Sequence, residues 1–484
     1  MKLRDHTFLG LTQSLCPECL RVVPAKIVSR RNRVYFEKRC PEHGQRLDFV
    51  CSDVAWFDRL EHSVPGKVPL IQGVQPRNGC PLDCGLCTEH EQHTCIALLE
   101  ITSSCNLTCP MCFASSAPGG NHMSVQDSIK AIDRLVAVEG QPEVLQLSGG
   151  EPTVHPQFLE ILDYTCSQPI DVVMINTNGI RIARDQRFVE SLAEYRNRIE
   201  VYFQLDGLEQ DASEQLRGEP LLETKLQALD VLESAKINAT LVSTVQTGVN
   251  ENQLGDLIRF GMARPHVTGV SFQPATYCGR SFLPEDLEQR STFPDIIHGI
   301  ANQAPEIFQA SDFLPLPCAH PNAHSLTYVY RSEGQALPLT RFIDIQGNMD
   351  LLANGITFTR DRARDLIANY LGRSCHGADC FDGLETPSSQ NHTDDESRLA
   401  KRFFKSASDL SLNTADVMRI TITSFMDAYN FDVRQLMKSC VHHVLPSGHL
   451  IPFSAYNVLY REGHVELPPL SQHDLATSQS VLVD

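Results

Sequence analysis

The chain has 484 residues, with 41 Lys and Arg against 59 Asp and Glu and a formal charge of −18. That length suffices for two or three domains with a sizeable core, and 42% hydrophobic with 21% charged residues is ordinary for a globular protein. So acidic a chain excludes general phosphate neutralisation, so no nucleic-acid partner is expected, and the short basic run Arg30-Arg31-Asn32-Arg33 reads as a solvated turn. No apolar run approaches the roughly 18 residues of a membrane span, and Met1 to His6 carry no apolar signal core; the expected location is cytoplasmic.

Eleven of the 17 cysteines lie between Cys16 and Cys112, grouped at short spacings. Without a secretory signal, such grouping favours metal over disulfides. Cys16, Cys19, Cys40 and His43 form C-x2-C-x20-C-x2-H, the two-knuckle spacing of a zinc ribbon. Cys51 is the rival fourth ligand, which with four thiolates would suit a single iron as in rubredoxin. Next come Cys80, Cys84, Cys87 and Cys95, four thiolates that would saturate a cubane iron–sulfur cluster, with zinc as competing occupant. Iron–sulfur is favoured because only nine residues join this group to the next cysteine loop. His90 and His93 could replace a ligand, but read rather as surroundings or surface.

From residue 98, strand-like runs alternate with amphipathic helical stretches. The expected strands are 98–102, 144–147, 171–176, 199–205, 240–245 and 267–273. The expected helices are 124–139, 156–166, 186–195, 221–235 and 252–263. Such alternation predicts an α/β fold with a parallel sheet, and six units fit a partial (β/α)6 barrel with its chemistry at the carboxyl ends of the strands. Directly after the first strand stand Cys105, Cys109 and Cys112, spaced C-x3-C-x2-C. Three thiolates can hold three corners of a [4Fe–4S] cluster and leave one iron open to chelate S-adenosylmethionine. One electron then releases a radical strong enough to abstract hydrogen from inert carbon. Gly149-Gly150-Glu151 ends the second strand, where glycines expose backbone to a ligand. Asn178 ends the third strand, and Gln204 and Asp206 the fourth; they are candidates for holding ribose hydroxyls and a carboxylate, or else plain turn formers. Gln273 after the sixth strand is a weaker pocket candidate. Cys166 sits in a helical pattern and reads as a buried thiol.

Beyond about residue 280 the pattern is irregular, with a polar stretch at 387–397. The later cysteines, Cys278, Cys318, Cys375, Cys380 and Cys440, are scattered; Cys375 and Cys380 could chelate a metal, and Cys318 and Cys440 are metal candidates. The expected organisation is a zinc-ribbon or rubredoxin-like module at 1–60, an auxiliary iron–sulfur segment at 61–97, the barrel at 98–280 and a C-terminal auxiliary-cluster region at 281–484.

The three-cysteine loop resembles the signature of the radical S-adenosylmethionine superfamily. The resemblance extends through Cys16-Pro17-Glu18-Cys19, Cys40-Pro41-Glu42-His43-Gly44, Cys80-Pro81-Leu82-Asp83-Cys84-Gly85-Leu86-Cys87, Gln204-Leu205-Asp206-Gly207, Phe272-Gln273-Pro274 and Ile451-Pro452-Phe453. Together these look like the class D radical S-adenosylmethionine methylases and their relatives, the archaeal tetraether lipid synthases. The resemblance implies an enzyme that abstracts hydrogen from an unactivated carbon and methylates or couples it. The substrate is then a small molecule, as in methylation of a pterin precursor, or a lipid tail. It also implies at least one auxiliary [4Fe–4S] cluster, an electron donor such as flavodoxin or ferredoxin, and a further cluster on Cys318 and Cys440. Two departures stand out: Met111 replaces the frequent aromatic residue before the third cysteine, and Ser454 stands near a cysteine position of the lipid synthases. The rival readings are a peptide-modifying radical enzyme and a non-catalytic iron–sulfur and zinc electron carrier.

Overall fold

The computed structural model describes residues 5–352, 365–370, 373, 393–409 and 411–471. Cys375, Cys380 and residues 387–392 of the polar stretch lie outside the described residues.

The chain opens with four antiparallel strands in the order β1-β2-β3-β4: β1 (Thr7–Leu15), β2 (Val22–Arg30), β3 (Arg33–Cys40) and β4 (Gly44–Cys51). Arg31 and Asn32 form the two-residue hairpin loop between β2 and β3, both with positive φ, the backbone twist that tight hairpins favour. Val23, Ala25 and Ile27 alternate inward along β2. Lys38 of β3 is 1% exposed, pairs with Asp48 at 3.0 Å, and donates to the carbonyls of Leu15, Ala428 and Tyr429. One buried ammonium thus fastens this sheet to the C-terminal third of the chain.

The barrel follows. β5 (Ile96–Thr102), β6 (Val144–Gly149), β7 (Val172–Thr177), β8 (Ile199–Gln204), β9 (Ala239–Val245) and β10 (Val267–Pro274) are parallel neighbours in chain order. Between them run α1 (Val125–Glu139), α2 (Phe158–Ser167), α3 (Ile180–Arg184), α4 (Gln186–Ala193), α5 (Gln210–Arg217), α6 (Leu222–Ser234) and α7 (Leu254–Met262), with α8 (Phe293–Gln303) after β10. Leu145, Leu147, Val173, Ile175, Val201 and Phe203 join helix residues such as Leu135, Phe158 and Leu229 in one core. Their alternates, Gln146, Ser148, Asn176 and Tyr202, therefore face the concave side.

The sheet does not stop at the expected boundary near residue 280. After β11 (Leu314–Pro315), β12 (His324–Ser332) and β13 (Gln335–Pro338), the chain inserts β14 (Val417–Thr423) parallel beside β10, and β15 (Val441–Val444) parallel beside β5. Eight parallel strands result, flanked by antiparallel β12 and by β16 (Leu450–Pro452). The C-terminal region thus supplies both outer staves of the barrel wall.

Candidate active site and metal centres

Cys105, Cys109 and Cys112 lie in the loop leaving β5, at the carboxyl end of the strands. Backbone pairing holds the loop: Cys105 N–H donates to Ala117 at 3.1 Å, and Cys112 exchanges hydrogen bonds with Arg280 at 2.8 and 3.0 Å. Two guanidinium groups grip its carbonyls. Arg280 Nε donates to Cys109 O at 2.6 Å and its Nη2 to Ser116 O at 2.7 Å, while Arg217 Nη1 donates to Met111 O at 3.2 Å. Met111 packs against Leu216, Ala275 and Tyr277, so its thioether fills protein core.

The glycines at the end of β6 allow a close backbone approach. A Cβ on Gly149, whose φ is +141°, would strike the Thr102 carbonyl, and one on Gly150 would strike that of Ser104. Gly150 and Glu151 N–H groups donate to those carbonyls at 2.7 and 2.9 Å. The glycines therefore let the end of β6 lie against the cysteine loop. Glu151 is bonded within the protein. Its buried carboxylate accepts from Thr153 Oγ1 at 2.7 Å, Thr177 Oγ1 at 2.8 Å and Asn178 N–H at 2.8 Å, tying β6 to β7. Burial still holds this carboxyl above the usual range.

Asp206 is likewise bonded within the protein. It is 3% exposed and takes Arg217 Nε at 2.7 Å and Nη2 at 2.5 Å, plus Thr244 N–H at 3.1 Å. Burial pushes its carboxyl up, but the Arg217 charge outweighs that and the net lies below the usual range. Asp206 thus orients Arg217 and, through it, the cysteine loop. Asn178 Nδ2 donates to Asn106 Oδ1 of the loop at 2.7 Å. Gln204 accepts from Lys225 through its carbonyl at 2.7 Å and its side chain at 3.2 Å. Burial brings the Lys225 ammonium down to about 8.

Arg217, Lys225 and Arg280 were not anticipated. Lys225 left a signal: a lysine among apolar residues of an amphipathic stretch. Arg217 closes α5, a short and mostly polar helix whose buried face holds Ala212 and Leu216.

Burial pushes the Cys105 thiol up to about 12 and that of Cys109 upward, with Arg217 opposing the rise at Cys109. Thiolates in such a place require positive charge, which bound iron supplies. Three thiols on one short loop backed by cations fit a [4Fe–4S] cluster. They do not form a compact single-ion group: none of them belongs to a set of donors all within 4.8 Å of one another.

Such a compact group exists in the N-terminal sheet. Cys16, Cys19, Cys40 and His43 bring their donor atoms within 4.8 Å of one another. His43 Nδ1 stands 3.5 Å from both Cys16 Sγ and Cys40 Sγ. Burial works against the Cys40 thiolate, but the Glu42 and His43 amides and the His43 ring bring that thiol down to about 6. Cys51 lies apart, its thiol donating to Asp53 O at 3.4 Å, so the rubredoxin-like alternative lacks its fourth sulfur.

The remaining cysteines regroup. Cys80, Cys84 and Cys87 line a concavity with His90, Leu436, Met437 and Pro452. Cys95, expected as their fourth partner, instead sits with Cys318 and Cys440. Hydrogen bonding to Cys318 and Cys440 holds the Cys95 thiol above the usual range, and Cys95 in turn holds Cys440 below it. The cause is β5: the strand begins with Cys95 and Ile96 N–H groups both donating to Cys440 O at 3.0 Å, which commits Cys95 to the seam with β15. His93 Nε2 lies 3.5 Å from Cys95 Sγ, and its Nδ1 meets Glu139 at 3.0 Å. Ser454 accepts from Met426 N–H at 2.9 Å, a packing role.

Residues 99–261 match the radical SAM superfamily, and residues 8–52 match the HMPTM N-terminal zinc ribbon domain. Together with the thiol loop at the mouth of a parallel barrel, these matches define a radical S-adenosylmethionine enzyme, a class that works with a [4Fe–4S] cluster and S-adenosylmethionine. Over 479 residues the chain is 30% identical to 7,8-dihydro-6-hydroxymethylpterin dimethyltransferase of Methanocaldococcus jannaschii, covering 93% of this chain and 94% of that one. The chain belongs to that family, the class D radical S-adenosylmethionine methylases. Similarity to mycofactocin maturase MftC of Mycolicibacterium smegmatis, at 30% over 158 residues, spans 32% of this chain and 39% of the maturase. The crystal structure of Streptococcus suis SuiB bound to precursor peptide SuiA superposes with a TM-score of 0.38 at 15% identity, over 45% of this chain and 47% of that one. No helix among the described residues is long and apolar enough to cross a membrane.

Proposed function

We propose that the chain methylates carbon on 7,8-dihydro-6-hydroxymethylpterin or a closely related pterin. The observation that carries this reading is the near full-length kinship with the archaeal pterin dimethyltransferase. The concave face of the barrel supports it. Asn176 Nδ2 donates to Gln146 Oε1 at 3.0 Å, Tyr202 OH donates to Ser271 Oγ at 3.0 Å, and Gln273 Nε2 donates to Tyr202 OH at 3.0 Å. Asn176 Oδ1 is buried and has no hydrogen-bond partner among the described residues. A flat heterocycle edged with alternating donors and acceptors satisfies such a wall. An acyl chain would leave Asn176 Oδ1 unpaired, at about 1–3 kcal/mol. The kinship with the maturase is confined to about a third of the chain, so a peptide substrate has less support.

Cys105, Cys109 and Cys112 would hold the [4Fe–4S] cluster, which when bound supplies the electron that opens S-adenosylmethionine. Arg217 and Arg280 keep the loop in shape around it, Asp206 fixes Arg217, and the close approach of Gly149 and Gly150 sets the distance between the loop and β6. Gln146, Asn176, Tyr202 and Gln273 would orient the substrate ring. Cys80, Cys84 and Cys87 form one auxiliary iron–sulfur site, and Cys95, Cys318 and Cys440 another. Cys16, Cys19, Cys40 and His43 suit zinc, whose tetrahedral N/S sites take this donor set. A flavodoxin or ferredoxin is the fitting electron donor, and the cytoplasm the fitting location.

The test is anaerobic. Reconstituted protein, reductant, the pterin and S-adenosylmethionine, with further S-adenosylmethionine or another one-carbon donor to supply the methyl group, should yield 5′-deoxyadenosine and a methylated pterin by mass spectrometry. The Cys105→Ala, Cys109→Ala, Cys112→Ala variant should yield neither. 5′-Deoxyadenosine without pterin methylation would keep the radical chemistry and discard the substrate.

A further inference from the structure

We propose that His90, through Nδ1, is the fourth ligand of the iron–sulfur site formed by Cys80, Cys84 and Cys87. The proposal rests on the auxiliary-site reading above and adds to it the ligand that Cys95 does not supply.

Four observations carry it. First, the spacing C-x3-C-x2-C-x2-H puts all four side chains on one stretch of eleven residues, and all four line one concavity. Second, the imidazole is set as a ligand. Ser439 O lies 2.8 Å from His90 Nε2, and a carbonyl can only accept, so Nε2 carries the proton. His442 Nε2, 3.1 Å away, faces the same N–H. The lone pair is then on Nδ1, which has no hydrogen-bond partner among the described residues. Ligating histidines characteristically donate their other ring N–H to a carbonyl or carboxylate, which fixes the tautomer and the ring plane.

Third, the loop is built to keep its shape around an occupant. The Asp83 carboxylate accepts from the N–H groups of Arg77 at 2.6 Å, Gly79 at 3.0 Å and Asn78. Tyr460 OH donates to Pro81 O at 2.8 Å and accepts from Cys84 N–H at 3.1 Å. Fourth, the donors are spread too widely for one ion. Sulfurs on a tetrahedral zinc stand about 3.8 Å apart, given the 2.3 Å bond. These four donors, unlike those of the ribbon, do not all fall within 4.8 Å of one another. A cubane separates its ligands further and fits the wider spacing. Imidazole in place of thiolate removes one negative charge and raises the reduction potential, which suits a centre that accepts electrons.

The experiment uses full-length protein reconstituted with iron and sulfide, in the Cys105→Ala, Cys109→Ala, Cys112→Ala background that removes the barrel-mouth cluster. Pulsed EPR of the reduced protein should show a strongly coupled nitrogen. His90→Cys should retain the iron, lose that coupling and shift the potential downward. His90→Leu should lose the same coupling even where loading is partial. A nitrogen spectrum unchanged in His90→Cys, or no strong coupling in the parent, overturns the ligand assignment alone. Replacing Cys80, Cys84 and Cys87 with Ala should remove about four irons per chain; unchanged iron would overturn the auxiliary site itself.

Discussion

Asp206 and Arg217 show how a buried carboxylate can shape the cysteine loop through a guanidinium. Both are almost fully buried, and Arg217 also holds Met111 O and Thr244 Oγ1. Asp206→Asn leaves a buried guanidinium without its counter-charge, which typically costs about 3–5 kcal/mol. Denaturant unfolding should show a loss of that order at neutral pH, together with poorer iron loading at the barrel mouth. The pH sign follows from the depressed carboxyl: its stabilisation is fully present above the ordinary value of 3.8 and is lost as pH falls through the lower folded value. Wild-type and Asp206→Asn stabilities should therefore converge only in strong acid. Convergence near pH 6 would mean that the pair does not carry the difference. A second residue-scale outcome concerns the substrate wall. Asn176→Leu should raise the KM for the pterin at least tenfold, the worth of about 1.4 kcal/mol, while leaving 5′-deoxyadenosine formation without substrate within twofold. A fall in that basal reaction would instead place Asn176 in support of the cysteine loop.

At the scale of elements, the turn after β6 is the tightest constraint on the site. Gly149→Ala adds a Cβ that meets the Thr102 carbonyl and forces a φ of +141° on a residue that disfavours it. The strained backbone costs about 1–3 kcal/mol before any clash. The variant should fold as judged by far-UV circular dichroism yet lose most 5′-deoxyadenosine formation, because the end of β6 and the cysteine loop must part; wild-type activity would show that the loop yields. These central elements were legible in the sequence because each pairs a β-period run with a helix-period run: the six strands fall within two residues of their expected positions. The N-terminal sheet was legible only as metal spacing. Its strands run eight or nine residues, but β1 exposes Phe8 and Leu11, so alternation along it is weak. β15 was invisible because Val441-His442-His443-Val444 has two histidines in four residues, and its burial comes from β5 and β16 rather than from its own hydropathy. The cysteine sets were legible as clusters but not as partners. Spacing kept Cys95 with Cys87, whereas strand pairing to β15, more than three hundred residues away, moved it to Cys440.

The molecule as a whole is closed by its C-terminal third. Without β14 and β15, the six strands from Ile96 to Pro274 would end on two bare edges, each a row of unpaired N–H and C=O groups open to another chain. Side-chain links repeat the closure: Lys38 reaches Ala428 and Tyr429, Lys438 Nζ reaches Val64 O at 2.7 Å, and Arg461 clasps Glu100 of β5 at 2.6 and 2.9 Å. The same third delivers Cys440 to Cys95 and the Ser439 carbonyl to His90. The proposed auxiliary centres therefore depend on the same C-terminal third that covers the barrel edges. A chain cut after residue 412, just before β14, should give aggregate in size-exclusion chromatography. Co-expressing residues 413–484 should restore soluble material, because the two missing staves dock by backbone pairing and need no covalent link. A soluble, iron-loaded monomer of residues 1–412 that still forms 5′-deoxyadenosine would show instead that six strands suffice, and that the C-terminal staves serve the auxiliary centres alone.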